Sequence, residues 1–564
     1  MSNIKIIPLG GVREGGKNLF VVEVNDSIFV LDCGSLYPED ELLGIDAVIP
    51  DFSYLEDNAE RVVGIFLTHG HADAVGALPY LLEVIDAPVF GTELTIELAS
   101  ILAKERGLED RLESFFKIDE ETEIEFEDAS VSFFRTTHSI PDSVGIVVET
   151  KEGAIVYTGD FKFEPSAKPL YRTNFGRLTD IGEAGVLALL SDSAEAESQV
   201  ENVSDMKIQE DIVETFRNAE GRVIVATVGS NILRIQQVLE AAYQSQRTVF
   251  IPGENLAEIV DVAIKLDKII IPSKRVIGQM SQLNNTPDEK VLILETGTAG
   301  EPIKSLQLMA QQRHRQVKIK EGDLVFLAST PSIAYETALA RTKNMIYRAG
   351  ATVKEITDNF KTSGHATPND LKMMMNFLKP KYIIPVNGEY RMLAAHAELA
   401  MQVGYKEEQI FLPELGDVIE YSRGKMTMTR KVEAGNVLVD GTGVGDIGSV
   451  VLRDRRILSE DGIFIVVATI SRRLGRVLVG PQITSRGFMF MKTNIDLIEA
   501  CSNMTLDVLE EHLASENFDW VELKSDLRDR IAKYLYKETK RKPVVLPIIM
   551  EASGYQMADE TKMK

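Results

Sequence analysis

His69, His71 and Asp73 stand two residues apart in the stretch Leu-Thr-His-Gly-His-Ala-Asp-Ala-Val-Gly at 67–76. The apolar run Arg61–Leu67 patterns as a strand, and Ala74–Leu82 patterns as the start of a helix. Two imidazoles and a carboxylate at a strand-to-helix turn can converge on one cation, and they form a zinc-type donor set. Similar groups recur where other predicted strands stop: Asp32 after Ile28–Leu31, His138 after 122–135, Asp160 after Ala154–Thr158, Asp192 after Val186–Leu190. In a layered α/β protein such strand ends share one edge, where sites form. A lone His138 would favour a structural role, but the set together argues for a metal centre. Asp32 either orients a metal ligand or caps a turn, and its spacing does not choose between the two. Ala74, directly after Asp73, offers no donor, so the centre is either a working one or the remains of one.

The elements that must position these groups follow from periodicity. Residues 3–10 and 18–32 alternate like two strands, and Gly10, Gly11, Gly15 and Gly16 between them fit a tight hairpin better than a phosphate loop. Pro88–Phe90 is a short strand, Thr92–Arg106 a helix, and Val144–Thr150 pairs with Ala154–Thr158. From 205 to 350 the character changes to alternating strands and helices, as in a parallel α/β unit. Lys207–Ala219 and Asn231–Gln244 read as helices, Val223–Thr227, Thr248–Ile251, Val291–Glu295 and Leu324–Leu327 as strands, and Tyr335–Arg341 and Met345–Tyr347 as separate elements. Ligand-like residues resume afterwards in Thr362-Ser363-Gly364-His365 and in Asn387-Gly388-Glu389 at the end of the strand Tyr382–Pro385, so the unit reads as an insertion. Gly229-Ser230-Asn231 at a helix start, and the loop with Thr296, Gly297, Thr298 and Gly300, offer amides for phosphate, although ordinary α/β turns look the same. Val451–Ser459, Ile463–Ser471 and Arg476–Val479, with helices near 493–511 and 519–537, form a small last domain whose charged helical faces read as solvated. His314, His396 and His512 lack ligand spacing and read as structural or surface residues.

Composition bounds the answer. A chain of 564 residues with 44 % apolar residues and mean hydropathy near zero needs three or four domains. No apolar run approaches a membrane span, and Met1–Gly10 lacks the features of an export signal. Two cysteines, Cys33 and Cys501, cannot build a disulfide framework and fit a reducing cytoplasm. A formal charge of −25 argues against a general nucleic-acid coat, but a local basic cleft remains compatible with a nuclease.

Residues 67–76 together with Thr137-His138-Ser139, Thr158-Gly159-Asp160-Phe161-Lys162-Phe163, Ser191-Asp192-Ser193, Ser363-Gly364-His365 and Pro385-Val386-Asn387-Gly388-Glu389-Tyr390 resemble the ribonuclease J family. The ordered set spans almost the whole chain and is far more specific than any one motif. The resemblance implies an α/β architecture: a metallo-β-lactamase αββα sandwich with an inserted β-CASP α/β domain and a small α+β C-terminal domain. On this chain it places the sandwich at 1–204 and 366–445, the insertion at 205–365, a linker at 446–455 and the last domain at 456–555. It also implies 5′-to-3′ exonuclease and endonuclease cleavage of RNA, two zinc ions, and work in ribosomal RNA maturation and messenger decay in the bacterial cytoplasm. A β-lactamase or glyoxalase-like hydrolase of small molecules is disfavoured by the insertion and by Ser363-Gly364-His365.

Carried over by position, the resemblance puts a first ion on His69, His71 and His138 with Asp160 bridging. A second ion would rest on Asp73, Asp160 and the positions of Ala74 and Asn387, where active members carry histidine. It makes Asp73, Asp160 and His365 the catalytic candidates. It makes Ser230, Asn231, Lys361, Thr362, Ser363, Gly364 and His365 the substrate-phosphate candidates. Leu233 is a third departure, again from histidine. One zinc is therefore expected, with a degenerate second site that takes Mn²⁺, Mg²⁺ or nothing. The pattern looks like the second, weaker paralogue of the family, which pairs with the first in several bacteria. RNA, further copies of the chain and an active paralogue are the expected partners, and a membrane is not.

Overall fold

The computed structural model describes residues 3–38, 42–199, 203–296, 302–328, 336–356, 363–490, 493–515 and 517–552. The chain divides into two compact units, one of Met1–Glu39 and Asp46–Val439 and one of Asp40–Ile45 and Asp440–Lys564.

The larger unit is built on two sheets packed face to face. One runs in the order Lys425–Lys431, Asp417–Ser422, Ile4–Pro8, Phe20–Val24, Ser27–Leu31, Val62–Phe66, Val89–Thr92, Phe115–Ile118. The other runs Tyr382–Val386, Val186–Asp192, Gly153–Tyr157, Val144–Thr150, Ser130–Arg135, Glu123–Glu125. Alternation along these strands sends Phe20, Phe29, Phe66, Phe133, Ile146 and Tyr157 into one shared core. Each sheet turns its other face to helices: Leu78–Val84 and Glu93–Glu105 cover the first, and Phe175–Ala184, Pro368–Leu378 and Tyr390–Val403 the second. The result is the expected αββα sandwich.

Val186–Asp192 and Tyr382–Val386 are parallel neighbours in one sheet, with Ser191 opposite Pro385 and Asp192 opposite Val386. The chain between them leaves and returns, which is the signature of an insertion. The excursion contains a five-stranded parallel sheet in the order Thr248–Phe250, Val291–Glu295, Val223–Ala226, Leu324–Leu327, Thr352–Glu355. Its strands, apart from the edge strand Thr352–Glu355, are apolar on both faces because helices cover both, as parallel sheets require. The chain re-enters the sandwich on Pro368–Leu378, which starts with a Thr367/Asp370 capping box and proline in its first turn.

In the smaller unit Arg476–Arg486, Ile463–Ser471 and Val544–Glu551 form a three-stranded sheet. Leu523, Leu527, Ile531 and Leu535, four apart on the helix Trp520–Thr539, pack with Phe464, Val466 and Ile549 of that sheet.

Three local expectations change. Residues 18–32 are a hairpin, Phe20–Val24 and Ser27–Leu31, because Asn25 takes φ 54° and turns the chain. The segments 335–341 and 345–347 merge into one helix, Glu336–Arg348, followed by the strand Thr352–Glu355, which the sequence pattern had not indicated. Val451–Ser459 lies within a helix, Ser449–Glu460, and Val544–Glu551, where the sequence pattern indicated no element, is a strand despite Pro547. Cys33 and Cys501 are both buried and free. Among the described residues no helix is long and apolar enough to cross a membrane.

Candidate metal centre

Asp32, His69, His138, Asp160, Asp192 and Asn387 all lie at the ends of sandwich strands, and the fold brings these ends together. His69, His71 and His138 each point a ring nitrogen at the others, the three atoms lying within 4.8 Å of one another. Hydrogen bonds on the far side of each ring decide what those atoms are. His138 Nδ1 faces the Gly364 carbonyl at 2.8 Å, and a carbonyl only accepts, so Nδ1 carries the hydrogen and Nε2 is bare. His71 Nε2 faces the Ser230 carbonyl at 3.3 Å, which leaves its Nδ1 bare. The Thr68 hydroxyl donates to Asp32 Oδ2 at 2.8 Å, so its oxygen accepts from His69 Nδ1 at 2.9 Å and leaves His69 Nε2 bare.

Three lone pairs therefore converge. His71 Nδ1 and His138 Nε2 are 3.1 Å apart with no hydrogen left to place between them. His69 Nε2 is buried without a hydrogen-bond partner. Such an arrangement is repulsive unless a cation sits in it, so these residues fit a metal ion. Burial holds the rings neutral: His69 is pushed down to about 3, with His71 adding to the effect, and burial drives His71 and His138 below the usual histidine range. Asp160 Oδ2, at 3.7 Å from His69 Nε2 and 3.9 Å from His138 Nε2, is placed as a fourth donor.

Asp32 orients rather than merely caps. Its Oδ1 accepts from Thr68 N at 2.7 Å, and its Oδ2 from Tyr157 Oη at 2.8 Å. Burial raises its pKa to about 7 against those hydrogen bonds. Two glycines are required by close approach: a Cβ on Gly34 would fall 1.6 Å from the Asp73 carbonyl oxygen, and one on Gly364 would fall 2.7 Å from His138 Cε1.

The second pole is different. Ala74 is fully buried and packs among Cys33, Val75 and Leu78. Asp73 Oδ1 is 3.8 Å from His69 Nε2, while its Oδ2 accepts from Asn18 Nδ2 at 3.2 Å. Asn387 donates its Nδ2 to Asp160 Oδ1 at 2.5 Å and its backbone N–H to the Gly11 carbonyl at 2.6 Å. One oxygen of each carboxylate thus receives an amide hydrogen. His69, Asp73 and Asp160 still bring three donor atoms within 4.8 Å of one another, but Ala74 and Asn387 add no imidazole, so the residues do not fit a second ion held in the family pattern. Asn18 was missed by sequence reasoning. It sits on the glycine hairpin, about fifty residues before the histidines, and nothing local marks it.

His365 Nδ1 lies 2.9 Å from Asp192 Oδ2 and 3.9 Å from Asp160 Oδ2. Burial opposes charge on this ring, but Asp192 and Asp160 outweigh it and raise His365 to about 10. Asp192 belongs to the site, at which both its strand-end position and the Ser191-Asp192-Ser193 motif hinted. Ser363 Oγ accepts from the His365 N–H at 3.1 Å, and Gly364 buttresses His138. Lys361 and Thr362, and Gly297, Thr298 and Gly300 of the other loop, lie outside the described residues. The Ser230 carbonyl faces His71, and Asn231 Oδ1 caps the helix Ile232–Gln244 by accepting from Arg234 N at 2.9 Å. Leu233 packs with Ala167 and Tyr171, and its N–H reaches the Ser139 carbonyl at 3.1 Å. His396 is fully buried with Nδ1 2.9 Å from Ser193 Oγ, bracing the turn after Asp192, whereas His314 and His512 take no part.

Comparison with known proteins agrees with this fold. Four family models match: the metallo-β-lactamase superfamily over 12–210, the ribonuclease J β-CASP domain over 220–346, the RNA specificity domain of zinc-dependent metallo-hydrolases over 351–413, and the ribonuclease J C-terminal domain over 450–552. A protein called Ribonuclease J 2 from Streptococcus pyogenes serotype M3 is 48 % identical over 98 % of this chain and 100 % of its own length. Proteins of the same name from Staphylococcus epidermidis and Staphylococcus aureus are 44 % identical over 97 % of this chain and 98 % of theirs. A crystal structure of a protein of unknown function from Enterococcus faecalis V583 shares the fold, with TM-score 0.51 and 15 % identity over 74 % of this chain and 100 % of that one.

Proposed function

This chain belongs to the ribonuclease J family, and from that premise we propose that it is a metal-dependent ribonuclease of weak intrinsic activity. It cleaves RNA as a 5′-to-3′ exonuclease and as an endonuclease, in ribosomal RNA maturation and messenger decay in the cytoplasm. The observation that carries the reading is the convergence of three bare imidazole nitrogens with Asp160 Oδ2. The sandwich then comprises 1–204 and 366–445, the β-CASP insertion 205–365, and the last domain 456–555 after a linker at 446–455.

His69, His71, His138 and Asp160 would hold a zinc ion. Such an ion, when bound, makes water acidic enough to attack at neutral pH and offsets charge on the phosphate. The rest falls to the chain itself. Asp73, beside His69 and with 27 % of its side chain exposed, orients the attacking water together with Asp160. His365 faces the same space as a cation. Asp192 fixes its ring, and it either clamps the scissile phosphate or protonates the leaving oxygen. The family resemblance assigns phosphate binding to Ser363, Gly364, His365, Ser230 and Asn231, and also to Lys361 and Thr362, which lie outside the described residues. With Ala74 apolar and Asn387 donating to Asp160, charge stabilisation at the second position is lost, and the rate falls with it.

That same pair of observations favours a second reading, in which the chain is a largely non-catalytic subunit that binds an active paralogue and helps hold RNA, itself forming homo- and hetero-oligomers. Decay of 5′-monophosphorylated RNA by the chain purified free of any paralogue, in zinc, manganese or magnesium, separates the two. Decay that an Asp73→Ala/His71→Ala variant loses supports the enzyme. Equal residual decay in both proteins sinks it, and failure to associate with the active paralogue sinks the subunit.

A further inference from the structure

Amides already occupy one oxygen of Asp73 and one of Asp160. Asp160 Oδ2 points instead toward two other groups of the cleft. Asp192 Oδ2, His365 Nδ1 and an oxygen of Asp160 lie within 4.8 Å of one another. His365 Nδ1 is 3.9 Å from Asp160 Oδ2 and 2.9 Å from Asp192 Oδ2. Neighbouring ligands of one ion with bonds of about 2.1 Å stand roughly 3–4 Å apart, so these atoms need little movement to share a cation. Asp192 is 1 % exposed and its Oδ1 is pinned by the Ala194 N–H at 3.0 Å, which leaves Oδ2 presented to the cleft. The His365 side chain is 30 % exposed, so an ion reaches the group from the open side.

We propose that this chain binds a second divalent cation at Asp160, Asp192 and His365, displaced from the family position that Ala74 and Asn387 have closed. The inference rests on reading His69, His71 and His138 as the first site, with which Asp160 is shared. Two carboxylate oxygens and one imidazole, completed by water, suit a hard ion of the manganese class better than zinc. Binding releases to water the proton that His365 Nδ1 donates to Asp192 Oδ2, so the ion takes the place of that hydrogen bond and the ring ligates as neutral imidazole. It is held more weakly than the first, because it has one imidazole where the first has three.

The test uses the full chain, stripped of metal, reloaded with one equivalent of zinc and titrated with Mn²⁺ alone. Loss of the free-ion electron paramagnetic resonance signal counts the bound manganese. One Mn²⁺ per chain is expected. Its affinity should fall at least about tenfold in Asp192→Asn and in His365→Gln, and change less than about twofold in Asp73→Asn. Retention of one zinc by each variant certifies its fold, and His365→Ala substitutes for a variant that fails this check. No manganese beyond the zinc, equal binding by all variants, or loss in Asp73→Asn alone overturns the displaced site. Failure of the unaltered chain to hold one zinc overturns the three-histidine reading instead, a separate result of the same titration.

Discussion

The two poles of the centre are a few ångströms apart and have opposite chemistry. At the first, each of three imidazoles has its outer nitrogen fixed, by Thr68 backed by Asp32, by the Ser230 carbonyl and by the Gly364 carbonyl. At the second, Ala74 has joined the apolar core, and Asn18 and Asn387 donate amide hydrogens to Asp73 and Asp160. A site decaying at random would lose its outer contacts together with its ligands. Here one pole keeps both, while the other has its carboxylates capped by neutral donors. The contrast teaches that ligand identity and ligand support are separable, and that the support around the histidines still serves a cation.

The largest test of this contrast is to rebuild the second pole. Ala74→His with Asn387→His should add a second tightly held zinc and raise RNA decay about 100-fold, since charge stabilisation by a second ion is worth several kcal/mol. The fully buried Ala74 makes the change cost about 1–3 kcal/mol of stability by overpacking, read as a lower melting temperature. Either single substitution should give no second zinc. Restoration of full decay by one alone would break the comparison.

The next test concerns the turn that carries Asp192. Burial lowers His396 to about 4, below its value in the unfolded chain, so the unfolded state takes up the proton first on acidification. The stability it contributes is complete above about pH 6.5 and is lost as pH falls toward 4, about 3 kcal/mol across that window. Denaturant unfolding at a series of pH values should show a shallower acid loss in His396→Phe than in the unaltered chain. Identical slopes would contradict the buried neutral ring. The smallest effect belongs to the support of the first pole: Thr68→Val removes the link between Asp32 and His69 and should weaken zinc by about tenfold in a chelator competition. The same substitution should leave manganese at Asp192 and His365 unaffected.

Much of the fold and the first pole were legible because short-range signals carry them. His69, His71 and Asp73 share one turn, and apolar strands end in His138, Asp160 and Asp192. What stayed hidden depends on contacts between distant segments. Asn18 acts on Asp73 because the glycine hairpin folds over the strand ends, which no periodicity encodes. His396 looked like a helix residue without ligand spacing, and only the packing of Tyr390–Val403 against Ser193 gives it a task. Ser230 and Asn231 stand at a helix start that offers amides for phosphate, yet the backbone carbonyl of Ser230 is what meets His71. Asn25 escaped notice because the apolar alternation of 18–32 runs straight through a two-residue turn.

On the proposed reading, one pole of this centre holds zinc and the other does not. The most direct measurement is zinc per chain, by native mass spectrometry after dialysis of the full protein, beside His71→Ala and Asp73→Asn. One zinc is expected in the unaltered chain, one in Asp73→Asn and none in His71→Ala. Two zinc ions in the unaltered chain, falling to one in Asp73→Asn, would contradict it.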